Sequence, residues 1–419
     1  MNKRIELAAL VALISSVGAA ELPPLAGDGV TDDTAAIQAR LDEGRSCVYL
    51  PPPKDHYLIS KTLKIGSGQE LRLDRLTRVR LAPKSDCPLL ENTCYAAGMG
   101  TNADIVVTGG VWDMDNLRQS PNPIWTNRKN FPKCHTPSFF LGMSMRFCHV
   151  EGLTVRGLTI RNPTTYGIEF GHVSNFLVEG ICFDYKTWNP GPLNMDGVHF
   201  DGFCHHGKIA NLRGTCYDDL VALNANDGIC SPEEGPISDI DIDGLYADYC
   251  HSAVRMLSAG ADLKRVTVRN VHGHFYCYTV GLTHYFPQKP RGRFDDIVVE
   301  DVFAAKALVH PECGGQKYRG PMEIIHLQGP IDVGNLVVSR LYRDESCLPT
   351  ATIGVDKEAT VENLTVRDCR MVNRLDEPIK MLLNRGRIDQ LVTENLVFRG
   401  KWETENLTCL INQPLTTNH

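Results

Sequence analysis

The 419-residue sequence lacks the patterns that mark several common classes of protein. It has no phosphate-binding glycine loop, no dinucleotide fingerprint and no Gly-x-Ser-x-Gly elbow, which argues against nucleotide-binding enzymes and α/β-hydrolases. No Cys-x-x-Cys pair occurs, so a zinc ribbon or a thioredoxin-like motif is unsupported. Basic residues are not in excess, since 43 Lys and Arg against 50 Asp and Glu give a formal net charge of −7. That balance argues against nucleic-acid binding but leaves an acidic sugar open as a substrate.

Long hydrophobic runs are absent after the N-terminus. The segment Met1–Arg4 is short and basic, Leu7–Val17 is apolar, and Gly18-Ala19-Ala20 supplies the small residues of a cleavage site. The apolar run is too short to span a bilayer with margin. We therefore expect a signal peptide over 1–20, a single mature domain over 21–419, and a secreted protein, either extracellular or periplasmic.

The 15 cysteines are scattered along the chain, and their odd number leaves at least one thiol unpaired. In an oxidising compartment, Cys87–Cys94 and Cys347–Cys369 are candidate pairs. The alternative is that many of the cysteines are small apolar side chains that fill a narrow core.

A short apolar phrase, Φ-x-Φ-x-x-Φ, recurs through the second half of the chain. Its copies are Leu153/Val155/Leu158, Ile240/Ile242/Leu245, Val266/Val268/Val271, Ile297/Val299/Val302, Leu336/Val338/Leu341, Leu364/Val366/Cys369 and, with Thr393 in the middle, Leu391/Leu396. The alternation indicates a strand, and the broken spacing after it, often with Gly or a polar residue, indicates a corner. Recurrence at a loose period of roughly 20–50 residues indicates stacked coils that bury their apolar sides together.

These features predict an all-β fold, a right-handed parallel β-helix (a solenoid). A propeller would need four antiparallel strands in each repeat, and a leucine-rich repeat would show a stricter period. An all-β sandwich would carry hairpin dipeptides such as Asn-Gly, and the sequence has no Asn-Gly.

A short N-terminal capping helix is expected before the repeats. The segment Thr31–Thr34 supplies capping residues, Ala35–Leu41 has helical character, and Gly44 can end the helix. The apolar residues of its one face are Ala36, Ile37 and Leu41. We expect this helix to cover the open first coil of the solenoid.

Candidate functional residues are densest in the segment Asn189–Gly228. Val198 and Phe200 alternate with His199 and Asp201, so one pair faces the core and the other faces outward. Since polar groups on such a strand contact a ligand or solvent, we predict His199 and Asp201 as substrate-binding residues.

Three aspartates in the same segment are about one coil apart. Asn194-Met195-Asp196-Gly197 precedes the strand, and Tyr217-Asp218-Asp219 follows one coil later. Because stacked coils are about 4.8 Å apart, the three carboxylates can share one patch. Their mutual repulsion tends to raise the pKa of at least one of them towards that of a useful acid.

Three such carboxylates could cleave a glycosidic bond. One protonated carboxyl gives its proton to the leaving oxygen while ionised partners deprotonate a water on the other face, and inversion needs roughly 6.5–9.5 Å between acid and base. We expect neighbouring coils to supply that separation. Two other interpretations stay open, because aspartates are common at solenoid corners and carboxylates on adjacent coils can bind Ca²⁺.

Two stretches resemble known families. GDGVTDDTAAIQARLDEG over 27–44 is similar to the opening of the pectate-lyase-like β-helix superfamily. NMDG over 194–197, followed one coil later by YDDLVALN over 217–224, resembles the NTDG and GDD signatures of polygalacturonases, glycoside hydrolase family 28. The resemblance implies that Asp218 is the proton donor and that Asp196 and Asp219 hold and activate the water. It also implies that Asn194 orients this cluster.

The sequence departs from the polygalacturonase pattern further along. The family's Gly-His-Gly corresponds to Cys250-His251-Ser252, so His251 is kept without its glycines and could tune Asp218 or contact the sugar. The family's Arg-Ile-Lys, which grips the galacturonate carboxylate, is replaced by Gly281–Phe286, which argues against an acidic sugar at the cleavage point. The remaining candidates for substrate binding are Arg255, His284, Tyr285 and Lys289, with Arg291 nearby.

The sequence thus predicts a secreted glycoside hydrolase that cleaves a polysaccharide or oligosaccharide with inversion. We expect no cofactor, no metal, no nucleic-acid or membrane partner after signal cleavage, and a monomer. A polysaccharide lyase or other uronate-acting β-helix enzyme, and a non-catalytic carbohydrate-binding β-helix, are the alternatives. Aromatic residues that could stack on sugars, or else pack in the core, are Trp112, Trp125, Tyr166, Trp188 and Tyr217. The stretch Leu117–Pro137 is expected to be a long loop beside the coils.

Overall fold

The computed structural model describes residues 21–122, 142–226, 233–286, 288–308 and 321–404. The expected signal peptide and most of the expected loop, with Trp125, lie outside the described residues. The described helices are α1 (Thr34–Asp42) and a 3₁₀ turn (Asn116–Arg118). The described strands are β1 (Cys47–Leu50), β2 (Tyr57–Ile59), β3 (Leu63–Ile65), β4 (Glu70–Leu73), β5 (Arg78–Leu81), β6 (Leu90–Asn92), β7 (Asn102–Thr108), β8 (Val111–Asp113), β9 (Met145–Arg156), β10 (Thr159–Arg161), β11 (Ile168–Glu179), β12 (Cys182–Asp184), β13 (Val198–Phe200), β14 (His205–Thr215), β15 (Asp219–Asn224), β16 (Ile237–Leu257), β17 (Asp262–Thr283), β18 (Gly292–Lys306), β19 (Ile325–Gln328), β20 (Ile331–Glu345), β21 (Ile353–Val355), β22 (Thr360–Arg367), β23 (Arg370–Asn373), β24 (Ile379–Lys380), β25 (Leu382–Asn384), β26 (Arg387–Glu394), β27 (Val397–Arg399) and β28 (Trp402–Glu403).

The strands stack as successive coils of a parallel β-helix. In the sheet that carries the candidate site, here called the site sheet, each strand pairs in parallel with the strand one coil later, in the order β3, β6, β9, β11, β13, β15, β16, β17, β19, β21 and β25. The inward side chains of the coils form one apolar cluster that runs from Ile37 to Leu391. The predicted parallel β-helix is confirmed, while its right-handed sense and the extent of the single domain stay predictions.

The recurring apolar phrase coincides with a second parallel ladder. Val271 in β17 lies opposite Val302 in β18, and both are fully buried. The corner residues that precede such positions have positive φ, 85° at Gly244, 55° at Asn270 and 53° at Asp301. Gly, Asn and Asp adopt this left-handed conformation more readily than other residues, which explains the residue types at the corners. The corner bends the continuous strands β16 and β17 rather than separating two strands.

The helix α1 covers the first coil as expected. Its buried residues are Ala36, Ile37 and Leu41, the predicted apolar face. The Gln38 side chain donates to the carbonyl of Lys64 in β3 at 3.1 Å and accepts from the Lys64 backbone N–H at 2.8 Å. Those backbone groups would otherwise form an open strand edge, so Gln38 replaces a missing neighbouring strand. Within the described residues no helix is long and apolar enough to cross a membrane.

The eleven cysteines in the described residues all carry free thiols. The candidate pairs Cys87–Cys94 and Cys347–Cys369 are therefore wrong. Cys369 belongs to the apolar core, where its thiol lies 3.1 Å from the carbonyl oxygen of Arg367, whereas Cys347 lies in the turn after β20. The buried cysteines are Cys148, Cys204, Cys216, Cys250, Cys277 and Cys369. Four of them, Cys204, Cys216, Cys250 and Cys369, belong to the apolar core cluster and so fill the core.

Candidate active site

A row of side chains crosses the coils of the site sheet at one register position. It runs from Arg146 in β9 to Glu169 in β11, His199 in β13, Ala222 in β15 and Arg255 in β16. On either side of each of these residues, the strand neighbours pack into the apolar core. Because side chains alternate along a strand, the row faces away from that core.

Three polar members of this row, Glu169, His199 and Arg255, are buried, as is Asp201 two residues after His199, whereas Arg146 is partly exposed. His199 and Asp201 are each at most 2% exposed. The ring of Tyr166 stacks on the imidazole of His199, with ring centroids 4.0 Å apart. Tyr166 therefore covers the site from one side and is itself fully buried.

The three predicted aspartates come together. Asp196, in the turn before β13, and Asp218 and Asp219, at the start of β15, each offer an oxygen within 4.8 Å of the other two. The backbone N–H of Asp219 donates to Asp196 Oδ1 at 3.2 Å, which draws the two coils together at this point. These oxygens are closer than the roughly 6.5–9.5 Å that we expected from the coil spacing for an inverting pair.

Asp196 is held by His199. The Nδ1 of His199 lies 2.6 Å from Asp196 Oδ2, and Nε2 lies 3.5 Å from Asp201 Oδ1. Burial alone would lower the pKa of His199, but the carboxylates of Asp201 and Asp196 outweigh it and raise that pKa to about 10. Asn224 Nδ2, 2.7 Å from Nε2, favours the neutral ring. Because hydrogen bonds between charged groups are roughly twice as strong as neutral ones, the two carboxylates prevail and His199 is a cation near neutral pH.

Asp201 continues this network towards the preceding coil. It shares a hydrogen bond with the carboxyl of Glu169. Burial, together with the negative charge of Asp201, raises the pKa of Glu169, so that Glu169 is protonated near neutral pH and donates. Glu169, Asp201, His199 and Asp196 thus form one buried chain of titratable groups.

Asp219 is held by two groups from the next coil. Ser252 Oγ donates to Asp219 Oδ1, and Arg255 Nε donates to Asp219 Oδ2. Arg255 also donates to Asn224 Oδ1, and its Nη2 lies 3.9 Å from Asp196 Oδ2. The buried guanidinium thus neutralises Asp219, and Arg255 lies within the site instead of reaching out as a surface group.

Asp218 differs from the other two aspartates in its exposure. Its side chain is 20% exposed, whereas that of Asp196 is 0% exposed and that of Asp219 is 2% exposed. His251 Nε2 lies 3.9 Å from Asp218 Oδ1, and the His251 side chain is also partly exposed. Asp218 is therefore the carboxyl of the cluster that an external ligand can reach.

The remaining predicted residues form local turns and ion pairs. Asn194 adopts a left-handed backbone with φ 52° two residues before Asp196. The ring of His284 lies 2.8 Å from the Pro290 carbonyl and accepts the Phe286 N–H at 3.1 Å, which organises the turn after β17.

The basic and aromatic candidates after β17 are similarly engaged. The hydroxyl of Tyr285 lies 3.4 Å from that of Tyr278. Lys289 donates to Glu234 at 2.9 Å, and Arg291 forms a bidentate pair with Asp332. These cations are thus already paired with carboxylates of the chain.

The aromatic candidates divide into buried and partly exposed residues. Trp112 is fully buried and packs in the core, so it is not a sugar-stacking residue. Trp188 and Tyr217 are partly buried and meet edge to face, with centroids 5.2 Å apart. Tyr217 directly precedes Asp218, so this pair is the aromatic surface nearest the exposed carboxyl in the chain.

Sequence reasoning missed three residues of the site: Glu169, Asn224 and Ser252. The strand alternation that singled out His199 also holds for Glu169 between Ile168 and Phe170 and could have found it. Ser252 and Asn224 gave no such signal, because their roles depend on which residues the variable loops bring opposite each other.

No protein-family model matches this chain, and no curated protein matches its sequence. Solved structures do resemble it. A hyperthermoactive exopolygalacturonase of Thermotoga maritima is 15% identical with a TM-score of 0.60, covering 89% of both chains. A family 28 exopolygalacturonase of Yersinia enterocolitica is 16% identical with a TM-score of 0.57, covering 88% of this chain and 76% of the other. PfbA, a surface adhesin of Streptococcus pneumoniae, is 13% identical with a TM-score of 0.54, covering 89% of this chain and 87% of the other.

At these identities the likeness is one of fold. The chain is a divergent β-helix similar to polygalacturonases, and the adhesin shows that the same fold also occurs in a protein with another role. The chemistry must therefore be argued from the site.

Proposed function

We propose that this protein is a secreted glycoside hydrolase that acts on a polysaccharide or oligosaccharide. The observation that carries the proposal is the contrast within one cluster, where a partly exposed Asp218 stands beside the buried Asp196 and Asp219. An accessible carboxyl suits a proton donor to the leaving oxygen, and buried ionised carboxylates suit the holding of a water.

The charges around the cluster support this division of roles. The cations of His199 and Arg255 pair with the carboxylates of Asp196 and Asp219. The carboxylates of Asp196 and Asp219 lie next to Asp218, the accessible carboxyl that can meet the leaving oxygen and donate a proton to it. They also stabilise the positive charge that develops on the sugar ring in the transition state. His251 beside Asp218 is placed to return it to the protonated state after each turnover.

A calcium-dependent lyase is the weaker alternative. Ca²⁺ would have to bind carboxylates that already pair with the guanidinium of Arg255, and the fixed positive charge opposes a second cation there. A non-catalytic carbohydrate-binding protein is the other alternative, and the fold likeness to an adhesin favours it.

The sugar at the cleavage point is proposed to be bound without the basic pair that polygalacturonases use. Arg255, Lys289 and Arg291 are each paired with a carboxylate of the chain itself. A substrate carboxylate would have to displace those partners, so neutral or amino sugars fit the site better than galacturonate.

The test is a panel of neutral, amino-sugar and uronic-acid glycans incubated with the wild type, Asp218→Asn and Asp376→Asn. Asp376 is a fully exposed carboxylate and serves as the matched control. We expect new reducing ends with the wild type and the control, and a loss of roughly 10²- to 10⁴-fold in turnover with Asp218→Asn.

The products separate the alternatives. Ultraviolet absorbance from an unsaturated sugar that persists in Asp218→Asn would contradict hydrolysis and establish elimination. Saturable binding of a glycan without any product, equal in all three proteins, would establish the binding-protein alternative.

A further inference from the structure

Two histidines stack on neighbouring coils at the end of the site sheet. Cys148 lies opposite Gly171 and Val150 lies opposite Val173, so His149 and His172 occupy the same position in β9 and β11. Both have a left-handed backbone, with φ 56° and 51°. Their ring centroids are 5.2 Å apart. The fold therefore presents two imidazoles from one side of the coil at a fixed spacing.

Glu233 reaches the same point from the chain that precedes β16. Its carbonyl accepts the N–H of Gly202 at 2.8 Å, which fixes its backbone against the third coil. Its Oε1 lies 3.1 Å from His149 Nε2, and its Oε2 lies 3.7 Å from His172 Nδ1. The Glu233 side chain is only 10% exposed.

The absence of a side chain at Gly171 makes room for this arrangement. A Cβ at Gly171 would lie 3.1 Å from Glu233 Cγ and 3.3 Å from Cys148 Sγ. Those distances are tighter than ordinary packing allows, so a larger residue would push the carboxylate away from the two rings. The hydrogen bond from Gly202 positions the backbone of Glu233, and the absence of a side chain at Gly171 lets the Glu233 carboxylate approach the two imidazole rings.

The spacing of the three groups matches that of ligands around a small divalent ion. Zn–N and Zn–O bonds of about 2.0–2.2 Å in a tetrahedron place neighbouring ligand atoms about 3.4 Å apart. The distance from His149 Nε2 to Glu233 Oε1 is 3.1 Å and that from His172 Nδ1 to Glu233 Oε2 is 3.7 Å, one on either side of that value. One ligand atom of each residue lies within 4.8 Å of the other two.

The protonation state required for binding is accessible. A metal on His149 Nε2 needs the proton on Nδ1, and Nδ1 is buried without a hydrogen-bond partner among the described residues. No second contact therefore fixes the opposite tautomer, and the cation would replace only the contact between Nε2 and Glu233.

We propose that His149, His172 and Glu233 bind a borderline divalent metal ion of the Zn²⁺ class. Two imidazoles and one carboxylate suit Zn²⁺ and its neighbours, whereas Ca²⁺ and Mg²⁺ prefer all-oxygen sites. The His172 side chain is 54% exposed, so a fourth position stays open to water. The ion links Glu233 to β9 and β11 through the two histidines. Because the N–H of Gly202 donates to the Glu233 carbonyl, this link lies next to Asp201. This site is separate from the aspartate cluster and does not depend on the proposed hydrolysis.

The test uses untagged protein dialysed against a chelator and then titrated with Zn²⁺, Ca²⁺ and Mg²⁺ by calorimetry. We expect one equivalent of Zn²⁺ to bind, a rise in Tm with Zn²⁺ alone, and a loss in affinity of more than about 100-fold in His172→Ala and Glu233→Gln. His172 is an exposed side chain, so its removal leaves the core intact.

His206→Ala is the matched control. His206 forms a second histidine pair with His205 on a neighbouring turn, with Nδ1 atoms 2.9 Å apart, and it is also exposed. Zn²⁺ affinity that is lost in His206→Ala and kept in His172→Ala would overturn the assignment. So would the absence of saturable Zn²⁺ binding in wild-type protein whose circular dichroism shows it to be folded.

Discussion

The imidazole of His199 and the carboxylate of Asp196 are joined at 2.6 Å, and both side chains are sealed from solvent while Asp218 of the next coil is not. This pairing separates the roles of the aspartates. The imidazolium of His199 fixes the Asp196 carboxylate next to the exposed carboxyl of Asp218.

Replacing His199 with Gln should lower turnover on the glycan that the panel identifies by about 10²-fold, because Asp196 loses both its orientation and its cation. The dissociation constant of the glycan should change little, since His199 is buried. Steady-state kinetics would show the loss in kcat, and the pH profile should change because the variant lacks the charged imidazole that contacts the aspartate cluster. An unchanged pH profile would show that His199 contributes packing to the site but no charge that affects the reaction.

The same residue makes stability depend on pH. The pKa of His199 is raised from its ordinary value of 6.5 to about 10, so the native state binds more protons than the unfolded state between those values. Its contribution is fully present below pH 6.5 and is lost as the pH rises towards 10.

Lys306 changes the stability in the opposite direction over the same pH range, since burial lowers its pKa from 10.5 to about 7. The informative quantity is therefore the difference in unfolding free energy between the wild type and His199→Gln, measured by urea unfolding from pH 6 to 10. That difference should shrink as the pH rises, and a constant difference would contradict a charged His199.

Removing the cation beside Asp219 should be costly to stability. Arg255→Gln leaves a buried carboxylate without its counter-ion, which we expect to lower the unfolding free energy by about 3–5 kcal/mol. The double variant Arg255→Gln/Asp219→Asn should recover part of that loss. Arg265→Gln is the control, because Arg265 forms a solvent-exposed pair with Asp239 and its loss should change the unfolding free energy little. Equal losses for Arg255→Gln and the double variant would show that the two charges are not coupled.

Much of the fold is predictable from the sequence because short local patterns specify each coil of the solenoid. Alternation marks the strands, and left-handed corners select Gly, Asn or Asp at positions such as Gly244 and Asn270. The meeting of Asp196 with Asp218 also follows from local spacing, since one coil separates them.

Contacts that span a coil with a variable loop are not predictable in this way. Arg255 and Asp219 are 36 residues apart, and Glu233 lies more than 60 residues from His172. Which residues meet depends on the lengths of the intervening loops, and periodicity does not encode these. The sequence predicted Arg255 as a substrate-binding residue but did not indicate that its side chain pairs with Asp219.

Close stacking of coils can be tested at Gly273. A Cβ there would lie 1.7 Å from the carbonyl oxygen of Ala247, its partner in β16, so Gly273→Ala should force the strands apart and cost about 3 kcal/mol or more. Gly157 is a suitable control, because it has φ 68° and its added Cβ would meet nothing within 4 Å. Gly157→Ala should therefore lower the unfolding free energy only by the strain of placing Ala in a left-handed conformation, about 1–2 kcal/mol. Similar urea midpoints for the two variants would mean that the strands at Gly273 move apart to accommodate the added Cβ with little loss of stability.

For the proposed hydrolysis, we predict the stereochemistry from the burial of the carboxylates rather than from their spacing. One oxygen of each aspartate lies within 4.8 Å of the other two, a separation that taken alone is nearer to the roughly 5–5.5 Å of retaining enzymes than to the wider gap of inverting ones. Retention, however, needs a carboxylate that bonds to the anomeric carbon. The oxygens of Asp196 accept from His199 and the Asp219 N–H, and those of Asp219 accept from Ser252 and Arg255.

We therefore expect neither buried carboxylate to contact the anomeric carbon directly, and we expect a water molecule to enter between them and the sugar ring. We expect a single displacement and inversion of the anomeric centre. Proton NMR of the first product formed on the glycan that the panel identifies would show the anomeric proton of the inverted configuration before mutarotation. A product that keeps the configuration of the substrate would instead require one of these carboxylates to leave its partners and act as the nucleophile.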